Sequence, residues 1–326
     1  MKIIRTVLGD ISPEEMGITD SHDHLIRSGG PEIMLDSSYL MDDQKAAAEE
    51  MENFINAGGR TMVCMDPIGC GRNVPKMLSV SKKVQGKGNI IMTTGFQKGS
   101  LYCQSTSFLA TVNTNKIADL MIAEITEGMD VHSYNGPVIE RVKAKAGLIK
   151  AGTSYRIITR LEEKAIHVAA ITQRNTGCAV SFHTDYGTMA LESIELIKKY
   201  GGNTQKVVMC HMQRNLDKYY HEQILSTGAT ICFDEPNKAM YCSDTLIAEN
   251  ISWLVDRGYG KQIVLGMDGG KREASSAYMK EQGIGNGLDY LLLRFVPLLK
   301  KVGISDDAIC DMLVNNPSEV FSIDMQ

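Results

Sequence analysis

Short apolar runs alternate with longer helical patterns about eight times along this 326-residue chain. The predicted strands cover residues 17–25, 61–66, 89–94, 146–150, 179–183, 207–211, 230–233 and 263–267. The clearest predicted helices cover 42–57, 116–127, 160–173, 288–302 and 306–321. Eight strands with helical partners and no break in composition predict an α/β fold, a (β/α)8 TIM barrel. A doubly wound open sheet is the alternative, and the absence of a Gly-x-Gly-x-x-Gly motif after the first strand counts against it.

The same continuity predicts one domain over residues 1–326, with 1–16 as an N-terminal lead-in segment. Residues 7–16, with Pro13, are expected to form a turn region ahead of the first strand. Apolar residues make up 43% of the chain, which is enough for a sizeable core.

Charge and cysteine usage narrow the class of protein. The net charge is −5 and no basic run is dense, so no nucleic-acid partner is expected. No apolar run reaches the length of a membrane span, and the N-terminus lacks the apolar core of a signal peptide. None of the eight cysteines forms a Cys-x-x-Cys pair, which favours reduced, structural thiols. These features predict a cytoplasmic protein without a membrane partner.

The first predicted strand carries the motif His22-Asp23-His24. Side chains of a strand alternate between its two faces, so both imidazoles would face one space. Two convergent imidazoles are half of a metal site. The alternative is a pair of polar residues in a surface loop, and the choice depends on ligands supplied elsewhere in the chain.

Further metal-binding side chains occur at the ends of later predicted strands. The residues at these ends are Lys150, His183, His211 and Asp268. In a barrel all strand ends lie on one rim, where barrel enzymes place their chemistry. Four histidines and a carboxylate exceed the ligands that one zinc ion needs, so the set predicts a binuclear metal site at the C-terminal ends of the strands.

Lys150 is unusual in this set, because an ammonium beside two dications is repelled strongly. A lysine that has added carbon dioxide is an anionic carbamate, which can bridge two metal ions. A lysine paired with a rim carboxylate is the alternative. With the other ligands in place, the carbamate accounts better for a lysine at this position.

Together these motifs resemble the phosphotriesterase family of the amidohydrolase superfamily. The residues that carry the resemblance are 6–9 (TVLG), 17–25 (GITDSHDHL), Lys150, His183, His211 and 266–268 (GMD). The resemblance extends from Arg5 to Phe321, essentially the whole chain. The family's usual His-Glu-His motif has Asp23 in the middle here, and that side chain is expected to point away from the metals.

The resemblance implies a role for each ligand. It assigns the more buried ion to His22, His24 and Asp268, and the more exposed ion to His183 and His211. Carboxylated Lys150 and a nucleophilic hydroxide would bridge the two ions, and Asp268 would accept the proton of the attacking hydroxide. Zinc is the first expectation, while manganese, cobalt and iron also suit nitrogen and oxygen ligands. The family also suggests a homodimer.

The rim loops are expected to choose the substrate. They carry the candidate substrate-binding residues Lys98, Tyr102, Arg214, Lys238 and Arg272, of which the last two follow strand ends most closely. Cations beside a metal site favour an anionic small molecule, although solvated loop charges are the alternative for each of them. Few aromatic residues occur in these loops, which favours a polar, sugar-sized substrate over a long acyl chain.

The chain also lacks the Asp-Arg pair typical of family members that open acyl-homoserine lactones, since Asp234-Glu235 stands near that point. The resemblance is closest to the branch of lactonases that hydrolyse sugar lactones, including phosphorylated ones. The predicted activity is hydrolysis of an aldono-lactone. Two alternatives remain: an esterase or amidohydrolase acting on another small anionic substrate, and a metal-binding protein without catalysis.

Overall fold

The computed structural model describes residues 1–136 and 138–325, and an eight-stranded parallel sheet lies at its centre. Two short strands precede this sheet, β1 (Lys2–Thr6) and β2 (Gly9–Ile11). Its strands are β3 (Thr19–Asp23), β4 (Thr61–Cys64), β5 (Asn89–Gly95), β6 (Leu148–Thr153), β7 (Val180–Thr184), β8 (Val207–Met209), β9 (Thr230–Phe233) and β10 (Ile263–Leu265). Neighbours in the sheet follow the order of the chain from β3 to β10. The predicted (β/α)8 barrel is confirmed.

The two edge strands of this sheet, β3 and β10, approach each other and nearly close the barrel. At this seam the backbone N–H of Asp268 donates to the carbonyl of His22 over 2.8 Å. The hydrogen bond joins the beginning and the end of the barrel at the rim. It therefore fixes two of the predicted metal ligands side by side.

Helices connect the strands and cover the barrel. They are α1 (Pro31–Leu35), α2 (Gln44–Asn56), α3 (Val74–Lys83), α4 (Phe108–Thr111), α5 (Thr114–Thr126), α6 (Arg160–Thr176), α7 (Ala190–Lys199), α8 (Lys218–Ser226), α9 (Asp244–Asp256), α10 (Val296–Lys301), α11 (Asp306–Cys310) and α12 (Asn316–Phe321). A π-helical segment, Leu291–Phe295, runs into α10, and another, Asp311–Asn315, joins α11 to α12. Across residues 1–136 and 138–325, no helix combines the length and apolar composition needed to cross a bilayer.

Helix α2 illustrates how local sequence produces these elements. The Asp43 side chain accepts hydrogen bonds from the first backbone N–H groups of the helix, as a good N-cap does. Its buried apolar positions, Ala47, Met51 and Phe54, recur at helical spacing and pack on the sheet. Gly58, at φ 105°, follows the C-terminus in a conformation that favours glycine.

Two layers of apolar side chains form the core. The larger layer lies between the strands and the helices. The smaller one fills the barrel, and its members are Ile4, Met16, Val63, Met65, Ile91, Leu148, Ala179, Val208, Cys210, Cys232, Val264, Val320 and Phe321. The barrel is therefore packed with apolar side chains below its rim, which leaves the end where the strands terminate for the predicted site.

The structure corrects the expectation for residues 7–16. Strand β2 pairs with β1, which also pairs with a C-terminal strand, β11 (Ile323–Asp324), to form a small antiparallel sheet. A strand of only three residues leaves too short an alternation to be recognised in the sequence. The extent of the single predicted domain stays a prediction.

Candidate metal centre

Four imidazoles meet at the rim of the barrel. His22 lies within β3 and His24 directly follows it, while His183 lies within β7 and His211 follows β8. The ring centroids of His22 and His211 are 4.9 Å apart, and those of His183 and His211 are 4.6 Å apart. Residues from both halves of the chain thus share one space, as the strand-end positions predict.

The facing atoms divide into two adjoining groups. In one group, Oδ1 of Asp268 lies 3.2 Å from Nε2 of His24 and 3.6 Å from Nε2 of His22. In the other group, Nδ1 of His183 lies 2.9 Å from Nε2 of His211. Ligand atoms gathered at such distances need only small movements to coordinate a common ion.

Two of these residues have backbones that non-glycine residues rarely adopt. The φ angle is 63° at His211 and 45° at Asp268. β8 ends at Met209 and β10 at Leu265, two residues before the ends that the sequence predicted, so His211 and Asp268 both follow their strands. Left-handed backbone costs about 1–3 kcal/mol and is concentrated at functional sites. Here it turns both side chains toward the shared space.

Lys150 lies inside β6, which continues to Thr153, and not at a strand end. The side chain is buried, and among the described residues its ammonium has neither a hydrogen-bond nor an ion-pair partner. Burial and the nearby Lys150 charge both lower the pKa of His183, which lies well below its ordinary value. The same charge acts on His22. The charge of Lys150 therefore acts on a histidine of each group.

Aspartate carboxylates contact the ring nitrogens of the histidines that do not face the shared space. Oδ2 of Asp66 lies 2.9 Å from Nδ1 of His24, and Oδ1 of Asp185 lies 3.1 Å from Nε2 of His183. Such partners fix the tautomer of a metal-binding imidazole and turn its other nitrogen toward the metal. The sequence analysis missed both residues, although Asp66 ends the second predicted strand and could have been found by the strand-end argument.

Asp234 is a further carboxylate of this kind and also escaped the sequence analysis as a part of the site. It directly follows β9 and is fully buried. Its Oδ1 lies 3.0 Å from Nδ1 of His211, and its Oδ2 lies 2.9 Å from Nδ1 of His22. Its position immediately after a strand was the available signal.

Lys238 contacts one of the predicted metal ligands, Asp268, directly. Its Nζ donates to Oδ2 of Asp268 over 2.7 Å, to the backbone carbonyl of Asp268 over 2.7 Å and to Oε1 of Glu235 over 3.0 Å. Burial alone would raise the pKa of the Asp268 carboxyl. The Lys238 ammonium, together with His24, holds that pKa well below its usual range. Asp268 is therefore an anion, ready to bind a cation.

The other predicted rim residues differ in how free their donors are. Nε of Arg272 is buried without a hydrogen-bond partner among the described residues, and its Nη2 donates to the Ser37 carbonyl over 3.4 Å. Lys98 is paired with Asp185 at 2.8 Å, and the Arg214 guanidinium is paired with Glu235. Arg272 consequently keeps the most unused donor capacity of the three.

Tyr102 is the fifth predicted rim residue. Its hydroxyl donates to the Ile68 carbonyl over 2.9 Å and accepts from the Gln97 N–H over 2.9 Å. Since both bonds are made to backbone, the hydroxyl serves to fix loops. The substrate-binding role of Tyr102 stays a prediction.

Aromatic side chains are more prominent at the rim than the sequence suggested. Tyr186 contacts Tyr155 edge-on with centroids 5.5 Å apart, and Tyr241 lies 6.4 Å from it on the other side. The Arg214 guanidinium lies 4.0 Å from the Tyr241 ring centroid. These residues belong to different loops, so their proximity depends on the fold and not on any one sequence segment.

Comparison with known proteins identifies the family. A sequence model described as the phosphotriesterase family matches residues 2–321. The chain belongs to this family. A curated relative from Mycoplasmopsis synoviae (strain 53), named phospho-furanose lactonase, is 48% identical over 330 residues, which cover 99% of this chain and 92% of the relative.

Solved structures agree with this membership. A lactonase from Listeria monocytogenes superposes with a TM-score of 0.90 at 29% identity, covering 99% of this chain and 100% of the other. The phosphotriesterase homology protein of Escherichia coli, complexed with phosphate in its active site, gives a TM-score of 0.84 at 29% identity, with coverages of 94% and 99%. This phosphotriesterase-family protein is an enzyme, a metal-dependent hydrolase.

The side chains at its rim fit such metals chemically. Imidazole and carboxylate ligands suit divalent ions of the first transition row. The ligand atoms of His22, His24 and Asp268 all lie within 4.8 Å of one another. The residues present can therefore hold the cofactor on which the family depends.

Proposed function

We propose that this enzyme is a lactonase that opens a sugar lactone carrying a phosphate, using two divalent metal ions, zinc foremost. The proposed ligands are His22, His24 and Asp268 for one ion and His183 and His211 for the other, with carboxylated Lys150 between them. The convergence of these side chains on one rim is the observation that carries the proposal. The name of the relative from Mycoplasmopsis synoviae supports the substrate class.

When bound, a pair of divalent ions would activate water and polarise the carbonyl oxygen of the lactone. Asp268, an anion held by Lys238, would accept the proton of the attacking water and pass it to the ring oxygen that leaves. Lys238 orients Asp268 through two hydrogen bonds, one to its side chain and one to its backbone. The geometry of the proton acceptor is thereby fixed before substrate arrives.

The proposed phosphate site is formed by Arg272 and Lys238. The buried, unpartnered Nε of Arg272 is costly unless an acceptor completes it, and a phosphate oxygen is a strong acceptor. Lys238 adds its positive charge from its position between Glu235 and Asp268. The phosphate in the active site of the Escherichia coli protein supports an anion at this end of the barrel.

The metal centre and the phosphate site are tested by different comparisons. Metal-free enzyme is expected to be inactive, and about two ions per chain are expected to restore turnover. The enzyme is then offered furanose lactones with and without a phosphate, together with acylated amino acids. Preference for the phosphorylated lactone supports the proposal. Preference for an acylated amino acid would instead support the esterase or amidohydrolase alternative, and turnover of neither would favour metal binding without catalysis.

The remaining assignments stay predictions. Lys98 and Arg214 have their cations paired with carboxylates, so a substrate role requires these pairs to rearrange. A cytoplasmic location and a homodimer likewise stay predictions.

A further inference from the structure

A single buried carboxylate serves both groups of candidate metal ligands. Asp234 places one oxygen 2.9 Å from Nδ1 of His22 and the other 3.0 Å from Nδ1 of His211. His22 belongs to the group with Asp268, whereas His211 contacts His183. Asp234 therefore contacts a histidine of each group, in both cases at Nδ1 and not at the Nε2 atom that faces the other predicted ligands.

The other carboxylates do not share this arrangement. Asp66 lies against His24 alone of the four histidines, and Asp185 lies against His183 alone. Each of these two carboxylates thus serves one proposed ion. The three aspartates together form a set in which two members are specific to one ion and the third is common to both.

The surroundings of Asp234 hold its carboxylate in place. The backbone N–H of His211 donates to it over 3.0 Å, and Nε2 of Gln213 donates to Oδ1 over 3.0 Å. In return, the backbone N–H of Asp234 donates to Oε1 of Gln213 over 3.1 Å. These bonds prevent the carboxylate from rotating toward one histidine at the expense of the other.

We infer that Asp234 is a positioning residue shared by the two metal sites, so that the affinity for both ions depends on this one carboxylate. The inference rests on the metal centre of the proposed function but not on its substrate. A histidine that binds metal through Nε2 must carry its proton on Nδ1. Oδ1 of Asp234 is hydrogen-bonded to Nδ1 of His211, whereas its Oδ2 lies 2.9 Å from Nδ1 of His22 without the alignment of a hydrogen bond. Reorientation of the His22 ring on metal binding would let the one carboxylate accept both protons. Removing one oxygen would release one of the two imidazoles and disturb the other.

Three matched variants test this inference: Asp234→Asn, Asp66→Asn and Asp185→Asn. Each keeps the shape of the side chain and removes its charge. Metal-free protein is titrated with zinc alone, and long-range proton–nitrogen spectra of the imidazoles follow His24 for one ion and His183 for the other. No substrate or turnover is needed, so failure of the lactonase proposal leaves this test intact.

We expect Asp66→Asn to lower mainly the affinity for the ion reported by His24. Asp185→Asn should lower mainly the affinity for the ion reported by His183. Asp234→Asn is expected to lower the affinity for both ions to a similar extent, by about 10- to 100-fold. A loss confined to one ion in Asp234→Asn, or unchanged affinity for both, would overturn the inference. Absence of zinc binding in the unmodified protein would refute the proposed metal centre itself.

The apo form of each variant is first checked by circular dichroism. If Asp234→Asn does not fold, Gln213→Met provides the second test, because it removes the amide that holds Asp234 but leaves the carboxylate. A smaller loss shared by both ions is the expected result. His211 is much closer to Gln213 in the sequence than His22 is. A loss of affinity confined to the ion bound by His211 would contradict the shared role.

Discussion

Replacing Lys150 by methionine separates a lysine that acts as an ammonium from one that acts as a carbamate. Methionine has a similar length and no charge, so the packing inside β6 is largely retained. The side chain of Lys150 is only 2% exposed and has no partner among the described residues. In the metal-free protein this ammonium is a cost, because an unpaired buried charge is disfavoured by several kcal/mol unless it is neutralised.

We therefore expect metal-free Lys150→Met to be at least as stable as the metal-free unmodified protein. When metal is added, the unmodified protein is expected to become the more stable of the two. An ion at one hundred times its dissociation constant stabilises the folded state by about 2.7 kcal/mol. At the low end of about 2–4 °C per kcal/mol, this is a rise of roughly 5 °C in Tm for each ion. The variant lacks the carbamate and should show little of this rise.

Differential scanning calorimetry with and without zinc, in bicarbonate buffer, measures both effects. Lys206→Met is a matched control, since the Lys206 ammonium donates to the carbonyls of Glu319 and Ser322 far from the rim. This control should lower the Tm of the metal-free protein and retain the rise with zinc. A rise in Lys150→Met as large as in the unmodified protein would refute the carbamate. In Lys150→Ala, which leaves space, a small carboxylic acid should restore some metal binding.

Three further predictions concern separate parts of the molecule. Arg272→Ala should raise KM for a phosphorylated lactone by about ten-fold or more and leave the unphosphorylated analogue nearly unchanged; equal effects on both would contradict a phosphate contact. Glu124→Gln breaks a fully buried ion pair with Arg72 and should cost about 3–5 kcal/mol in urea unfolding, so a loss below about 1 kcal/mol would show that the pair is dispensable. Hydrogen bonding by Thr106 and its neighbours lowers the pKa of Cys103 to about 6. Its alkylation by iodoacetamide, followed by mass spectrometry, should therefore level off above pH 7 and not continue to rise toward pH 9.

The sequence was sufficient to predict which residues would gather at the rim. The two-residue spacing of His22 and His24 at the end of β3 predicted that they would lie close together, and the parallel barrel brought His183 and His211 to the same end. These are consequences of strand geometry and chain order alone. The position of Lys150 inside β6 was less accessible, because the extent of a buried strand is poorly marked by an apolar run.

The partners of these residues could be predicted only in part. Asp66 and Asp234 follow strands and could have been recognised, whereas the contact of Asp185 with His183 depends on the local turn after β7. The pairing of Lys238 with Asp268 joins two loops that are thirty residues apart. Such contacts depend on loop conformation, including left-handed backbone at Asp268, which a non-glycine sequence does not announce.

The central claim is that a metal centre and a phosphate-binding arginine act together on a sugar lactone. The most direct test is kcat/KM of the zinc-loaded enzyme for two furanose lactones that differ only in a phosphate. The charge-assisted contact from Arg272 predicts a preference of about 10-fold or more for the phosphorylated lactone, and no turnover is expected after the metal is removed. Equal kcat/KM for the two lactones, or hydrolysis that persists without metal, would contradict the account.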